Sequence, residues 1–144
     1  MQVQVKHSRD HQGRREFHPY VDGQHAVVLE DESGCYRGEL VWRLANIGQG
    51  IAEITGFGIA DEANRRKGWG SLLLKTALRD IVSFMVERDI DPRLVYLFAN
   101  GEDEVAKSFY EAREFRFLAR VPGLYQIGTA CLYVRNLELE ESEN

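Results

Sequence analysis

Polar and apolar residues alternate through the first part of the chain, as they do in strands with one buried face. The alternation predicts a short strand at residues 2–5 and a longer strand at residues 25–32. A strand from Tyr36 onward should form a hairpin with the latter, and residues 51–59 should form another strand. A further short extended piece is predicted around Pro19. The first part of the chain is therefore predicted to be a meander of antiparallel strands.

The pattern changes at Trp69, where apolar residues begin to recur at intervals of three and four. This spacing predicts an amphipathic helix of about 20 residues that ends before Pro92. The almost wholly apolar run at residues 93–100 predicts a strand that is buried on both faces. A second helix is predicted within residues 102–115, with Asp103 as its N-cap.

Two strands, at residues 117–121 and 129–134, are predicted to close the fold. This order of elements predicts one α+β domain, residues 1–136, with a mixed, mainly antiparallel sheet flanked by helices. The unit at residues 51–100 should be a right-handed strand–helix–strand crossover with parallel strands. Residues 137–144 are rich in glutamate and are predicted to be a solvated acidic tail.

The composition of the chain limits which functions and which cellular compartment we expect for the protein. The 144-residue chain carries a formal net charge of −5, which argues against a general nucleic-acid binder. Cys35 and Cys131 are predicted to be buried free thiols, and the histidines show no metal-ligand spacing with them. No apolar run has the length of a signal peptide or of a membrane span. We therefore expect a cytoplasmic protein that uses neither a metal nor a membrane.

A cluster of basic residues and glycines precedes the predicted long helix. Three basic residues, at 65–67, stand just before Gly68 and Gly70. The first turn of a helix has free N–H groups and a partial positive charge, so extra basic residues there are unfavourable unless an anion compensates. The glycines would let an anion approach the backbone, and Ser71 adds a hydroxyl. This pattern predicts a phosphate or pyrophosphate site, although neither a Walker A loop nor a complete dinucleotide fingerprint is present.

The segment RRKGWG, residues 65–70, resembles the Arg/Gln-x-x-Gly-x-Gly/Ala motif of the GNAT N-acetyltransferase superfamily, and the order of elements matches that fold. The resemblance implies direct transfer of an acetyl group from acetyl-CoA to an amine. The loop would bind the pyrophosphate. The strand before the loop would hold the pantetheine arm and splay from the strand at residues 93–100. The residues implied in cofactor binding are Phe57, Gly58, Ile59, Arg65, Arg66, Lys67, Gly68, Trp69, Gly70, Ser71 and Asn100. Trp69 is also a candidate for anchoring the helix on the sheet.

A second segment, AKSFYEAREF at residues 106–115, resembles the family's Ala-x-x-x-Tyr-Glu-x-x-Gly-Phe pattern. The match implies that Tyr110 donates a proton to the departing thiolate, since a phenol is protonated at neutral pH. Glu53 interrupts an apolar strand and is the best candidate for the general base, or it is simply a solvent-facing residue. His25 is a weaker candidate that we expect to be exposed.

Two of the chain's departures from the family pattern bear most on the site and the fold. Glu114 replaces the glycine of the second motif, and the segment between the first two strands shows no helical periodicity. The N-terminal helices of the family are therefore predicted to be reduced or absent. A non-catalytic acyl-CoA-binding module and a phosphate-loop nucleotide binder remain as alternatives. The acceptor is open, from a protein N-terminus or lysine to a polyamine, an antibiotic or a metabolite, and a homodimer is possible.

Overall fold

A mixed seven-stranded sheet and two α-helices account for most of the chain in the computed structural model, which describes residues 2–7, 23–59 and 68–143. The elements in chain order are β1 (Gln2–His7), β2 (Gln24–Glu30), β3 (Tyr36–Asn46), β4 (Ile51–Ile59), α1 (Trp69–Glu87), β5 (Leu94–Asn100), α2 (Glu104–Glu111), β6 (Arg116–Val121) and β7 (Ala130–Asn136). The strand order across the sheet is β1-β2-β3-β4-β5-β7-β6.

The topology confirms the predicted α+β class. Strands β1 to β4 form an antiparallel meander, and β4 pairs with β5 in parallel, as expected for a strand–helix–strand unit. Only residues 8–23 connect β1 to β2. That connection is shorter than two helices of the mean length of ~11 residues, so the N-terminal helices are reduced. The extended piece predicted around Pro19 lies outside the described residues.

The main core lies between the sheet and one stripe of α1. The buried residues of this helix are Leu73, Leu74, Ala77, Leu78, Ile81, Val82 and Met85, which recur at the predicted intervals of three and four. Trp42 of β3 is fully buried beneath the helix, and its indole N–H donates to Asp80 of α1 at 3.0 Å. This bond satisfies the one polar atom of a large apolar side chain and fixes α1 on the sheet.

A β-bulge in β4 changes which residues face α1. Trp42 pairs with Ile54 and Val41 pairs with Gly56, so Thr55 is an extra residue on β4. In a regular strand, residues three apart face opposite sides of the sheet. Because of the extra residue, Ile54 and Phe57 instead both contact the core. The bulge therefore turns the second half of β4, including Phe57, toward the helices.

Three expectations about exposure are wrong. His25 is only 5% exposed, because its ring stacks on Trp42 at 4.3 Å and packs against Phe84 at 4.4 Å between ring centroids. Cys35 is exposed, whereas Cys131 is buried as predicted. The acidic tail is not simply solvated, since Leu137 is buried and a 3-10 helix at Leu139–Glu143 packs near α1.

Candidate active site

The parallel pairing of β4 with β5 stops partway along the strands. It joins Ile51 to Leu94, Ala52 to Val95 and Glu53 to Tyr96, and it does not continue into the second half of either strand. Both strands stay paired on their outer sides, β4 with β3 up to Ile59 and β5 with β7 up to Asn100. The strands therefore enclose a wedge with backbone groups that have no ladder partner and are free to bind a ligand.

Two cavities open along this wedge, and Tyr110 lines both. The inner cavity, about 120 Å³, lies between the strands and is lined by Ile54, Thr55, Gly56, Phe57, Leu97, Phe98 and Tyr110. The outer groove, about 210 Å³, is lined by Phe57, Gly58, Ile59, Gly70, Asp103, Val105, Ala106, Phe109 and Tyr110. Together they lead from the interior of the sheet to the first turn of α1. The two cavities bring Phe57, Gly58, Ile59, Gly70 and Tyr110 together, and the role of these residues in cofactor binding or catalysis stays a prediction.

Tyr110 is held by aromatic packing and has a perturbed pKa. Its ring centroid lies 5.5 Å from Phe109, 5.6 Å from Phe115 and 6.3 Å from both Phe57 and Tyr133. Burial raises the pKa of its phenol to about 12, and the nearby charge of Asp103 adds to the effect. The side chain therefore keeps its proton throughout the neutral range, although it is a weaker acid than an ordinary phenol.

Glu53 lies at the last paired position before the wedge and is not simply a solvent-facing residue. Its side chain is 15% exposed and its Oε1 forms an ion pair with Arg43 at 2.7 Å. The Tyr96 hydroxyl also donates to Oε1, at 3.4 Å. Among the described residues these contacts leave Oε2 unoccupied. Since neighbouring Ala52 and Ile54 face the core under α1, Glu53 lies on the opposite face of the sheet.

The loop contains two described glycines, Gly68 and Gly70, and the structure requires glycine at each position for a different reason. Gly68 is the N-cap of α1 with φ at 79°, a left-handed conformation that favours glycine, and no side chain caps the helix. At Gly70 an added Cβ would lie 3.3 Å from the ring of Phe109, so glycine allows α2 to pack against this turn. The first turn of α1 contains no acidic residue. No carboxylate of this turn would therefore compete with an anion for the helix N-terminus.

The other predicted cofactor residues have different surroundings. Trp69 packs against the core, in agreement with an anchoring role. The Ser71 hydroxyl accepts a hydrogen bond from Arg113 Nε at 3.1 Å. The Asn100 side chain accepts from the backbone N–H of Glu102 at 2.9 Å, which stabilises the turn into α2, and it does not line either cavity. Arg65, Arg66 and Lys67 lie outside the described residues, so their contact with a phosphate stays a prediction.

Sequence reasoning did not predict two contacts of the site. Arg43 meets Glu53 because the register of β3 and β4 shifts by one residue between Leu44 and Asn46. Arg113 lies with its guanidinium carbon 3.8 Å from the centroid of the Phe109 ring and thereby supports one wall of the groove. The sequence offers opposite charges on adjacent strands as a clue to the first pair, and it offers none for the second.

The described residues contain no group of three metal-ligating side chains. Within the same residues, neither α-helix combines the length and apolar character that a membrane crossing requires.

Comparisons with known proteins match at the level of the fold. No family model matches the chain, and no curated protein matches it by sequence. Among solved structures, a variant of spermidine N-acetyltransferase from Vibrio cholerae superposes with a TM-score of 0.73 at 15% identity, covering 95% of each chain. Ard1 from Thermoplasma volcanium gives a TM-score of 0.65 at 19% identity, covering 94% of this chain and 98% of its own.

A third structure is described as a putative acetyltransferase of the GNAT family, from Desulfovibrio desulfuricans. It gives a TM-score of 0.66 at 19% identity and covers 81% of this chain and 71% of its own. At 15–19% identity these similarities show the fold. The chain has the GNAT fold.

Proposed function

We propose that this protein is an N-acetyltransferase that transfers an acetyl group from acetyl-CoA directly to an amine. The observation that carries the proposal is the wedge between β4 and β5, with Tyr110 beside it and the first turn of α1 at its outer end. The amide groups of a pantetheine arm complement the unpaired backbone of β4, and the helix N-terminus complements a pyrophosphate. The three basic residues at 65–67 directly precede Gly68 in the sequence and add charge that suits the same ligand.

The chemistry follows from what stands on each side of the wedge. A neutral amine attacks the thioester carbon, a C–N bond forms and the C–S bond breaks. Glu53, directly or through water, accepts the proton that the amine loses, with its Oε2 as the acceptor atom. The departing thiolate takes the proton of Tyr110, whose high pKa ensures that the proton is present when the reaction begins.

The contact between Glu53 and Arg43 favours a second candidate, a non-catalytic acyl-CoA-binding module. The ion pair holds one oxygen of the Glu53 carboxylate in a contact between β3 and β4, as expected of a residue that supports the sheet rather than takes part in turnover. In that case the wedge would bind coenzyme A without turnover.

The test is thiol release from acetyl-CoA with a panel of amines, beside calorimetric binding of coenzyme A. We expect Tyr110→Phe to lower kcat by about 10²- to 10⁴-fold while coenzyme A still binds. Tyr36→Phe is the matched control, because Tyr36 is 39% exposed and lines neither of the two cavities. Binding of coenzyme A without turnover of any amine would favour the second candidate. No binding of coenzyme A would reject both.

A further inference from the structure

A third and larger cavity lies between α1 and the residues that follow α2. Its volume is about 570 Å³, which is in the range of small-molecule sites. One wall is a stripe of α1 formed by Ser71, Leu74, Lys75, Leu78 and Arg79. The opposite wall is formed by Ala112, Arg113, Glu114, Arg135 and Glu141. None of these residues lines the wedge or its outer groove.

The charges around this cavity are unbalanced. Both carboxylates of its lining pair with Arg135, Glu141 at 2.5 Å and Glu114 at 3.4 Å. The other charged residues of the lining are all basic, namely Lys75, Arg79 and Arg113. No carboxylate of the described part of the chain forms an ion pair with any of them. A chain with a net charge of −5 thus places three uncompensated cations around one cavity.

Arg79 is partly buried, and Arg113 is held in place by its neighbours. The Nε of Arg79 is buried and has no hydrogen-bond partner within the described segments, which is uncommon for a charged group. Arg113 is fixed by hydrogen bonds to Ser71 and to the Phe109 carbonyl, the latter at 2.9 Å, and by stacking on the Phe109 ring. Orienting cations in a concave site costs side-chain entropy and desolvation, and an anionic ligand recovers that cost.

We propose that this cavity binds a small metabolite that carries a phosphate or carboxylate group, independently of the wedge. Guanidinium groups suit both oxyanions because they donate two parallel hydrogen bonds. The stripe from Ser71 to Arg79 extends about 12 Å along α1, at ~1.5 Å per residue, away from the helix N-terminus where a pyrophosphate would bind. Arg79 and Lys75 bind the anion, and Arg113 links this wall to the aromatic wall of the groove beside Tyr110.

The experiment titrates the full chain with inorganic phosphate and, separately, with succinate at constant ionic strength, with and without saturating coenzyme A. Calorimetry should show saturable binding of at least one anion that coenzyme A does not abolish. Arg79→Gln should weaken that binding about tenfold or more, and Arg79→Lys should weaken it less, because a charged hydrogen bond is lost in the first case and partly kept in the second. Arg120→Gln is the matched control, since Arg120 is exposed on β6 and lies outside the cavity.

Three results would overturn the proposal. They are no saturable binding of either anion, complete competition by coenzyme A, and equal affinity of wild type and Arg79→Gln. Lys75→Gln, at an exposed position on the same wall, tests the cavity if Arg79→Gln does not fold, and it should also weaken binding. Phosphate binding without succinate binding would identify the phosphate class, and the reverse result would identify a carboxylate.

Discussion

Glu114 lies in a backbone conformation that its side chain disfavours, and Glu114→Gly should stabilise the protein. The residue has φ at 71° just beyond the C-terminus of α2, where the backbone N–H of Phe115 donates to the Tyr110 carbonyl at 3.1 Å. This is the usual place for a C-terminal glycine. A left-handed conformation costs a non-glycine residue about 1–2 kcal/mol.

Two smaller effects oppose the gain. Glycine loses about 0.5–1 kcal/mol more backbone entropy on folding. The ion pair with Arg135 is long, at 3.4 Å, and the Glu114 side chain is 82% exposed, so its loss costs at most a few tenths, ~0.3 kcal/mol. The net expectation is a gain of about 0.5 kcal/mol in the free energy of unfolding, measured by urea denaturation with an unchanged m-value.

Two variants separate the strain from the charge. Glu114→Ala removes the carboxylate but keeps a Cβ in the left-handed conformation, so its stability should equal or fall slightly below that of wild type. Glu87→Gly, at the exposed last residue of α1, should be destabilised by up to about 1 kcal/mol. Lower stability of Glu114→Gly than of Glu114→Ala would refute the reasoning.

Two further predictions concern the groove. Because burial raises the pKa of Tyr110 from 10.0 to about 12, folding favours the neutral phenol, and this contribution is complete below about pH 10 and is lost as the pH rises toward 12. Wild type should therefore lose more stability than Tyr110→Phe between about pH 9 and 11 in chemical denaturation, and equal losses would contradict the raised pKa. Gly70→Ala should weaken coenzyme A binding in calorimetry, because the new Cβ would push the Phe109 ring into the groove. Its stability should change little, since alanine gains up to about 1 kcal/mol of helix propensity, and unchanged affinity would show that the turn is not part of the binding site.

The elements of the fold were predictable because their periodicity is strong. The stripe on α1 has one arrangement that buries it, and the apolar run at residues 93–100 does form β5. The expectation that β5 is buried on both faces is wrong, because only its alternate residues Val95, Leu97 and Ala99 are buried and the other face is half-buried. The burial of His25 could also have been predicted from the sequence, because His25 lies on the same face of β2 as the buried residues Val27 and Leu29. Its polar character led to the wrong expectation.

The details of the site depend on features that a single sequence does not reveal. The extra residue at Thr55 and the register shift near Leu44 decide that Phe57 faces the helices and that Arg43 meets Glu53. A bulge moves every later side chain of its strand to the other face, and no local pattern marks its position. The third cavity, whose lining includes Lys75, Arg79 and Arg113 and which we call the basic cavity, joins parts of α1, β7 and the C-terminal 3-10 helix. These parts are distant in sequence, so only the folded chain displays the cavity.

The central claim is that the wedge between β4 and β5 binds acyl-CoA through the backbone of β4. Hydrogen exchange of the backbone amides, with and without saturating coenzyme A, tests this most directly. The account predicts slower exchange in residues 54–59 and in the first turn of α1, with no change in β2. Binding of coenzyme A that leaves exchange in residues 54–59 unchanged, or that protects only the wall of the basic cavity, would contradict it.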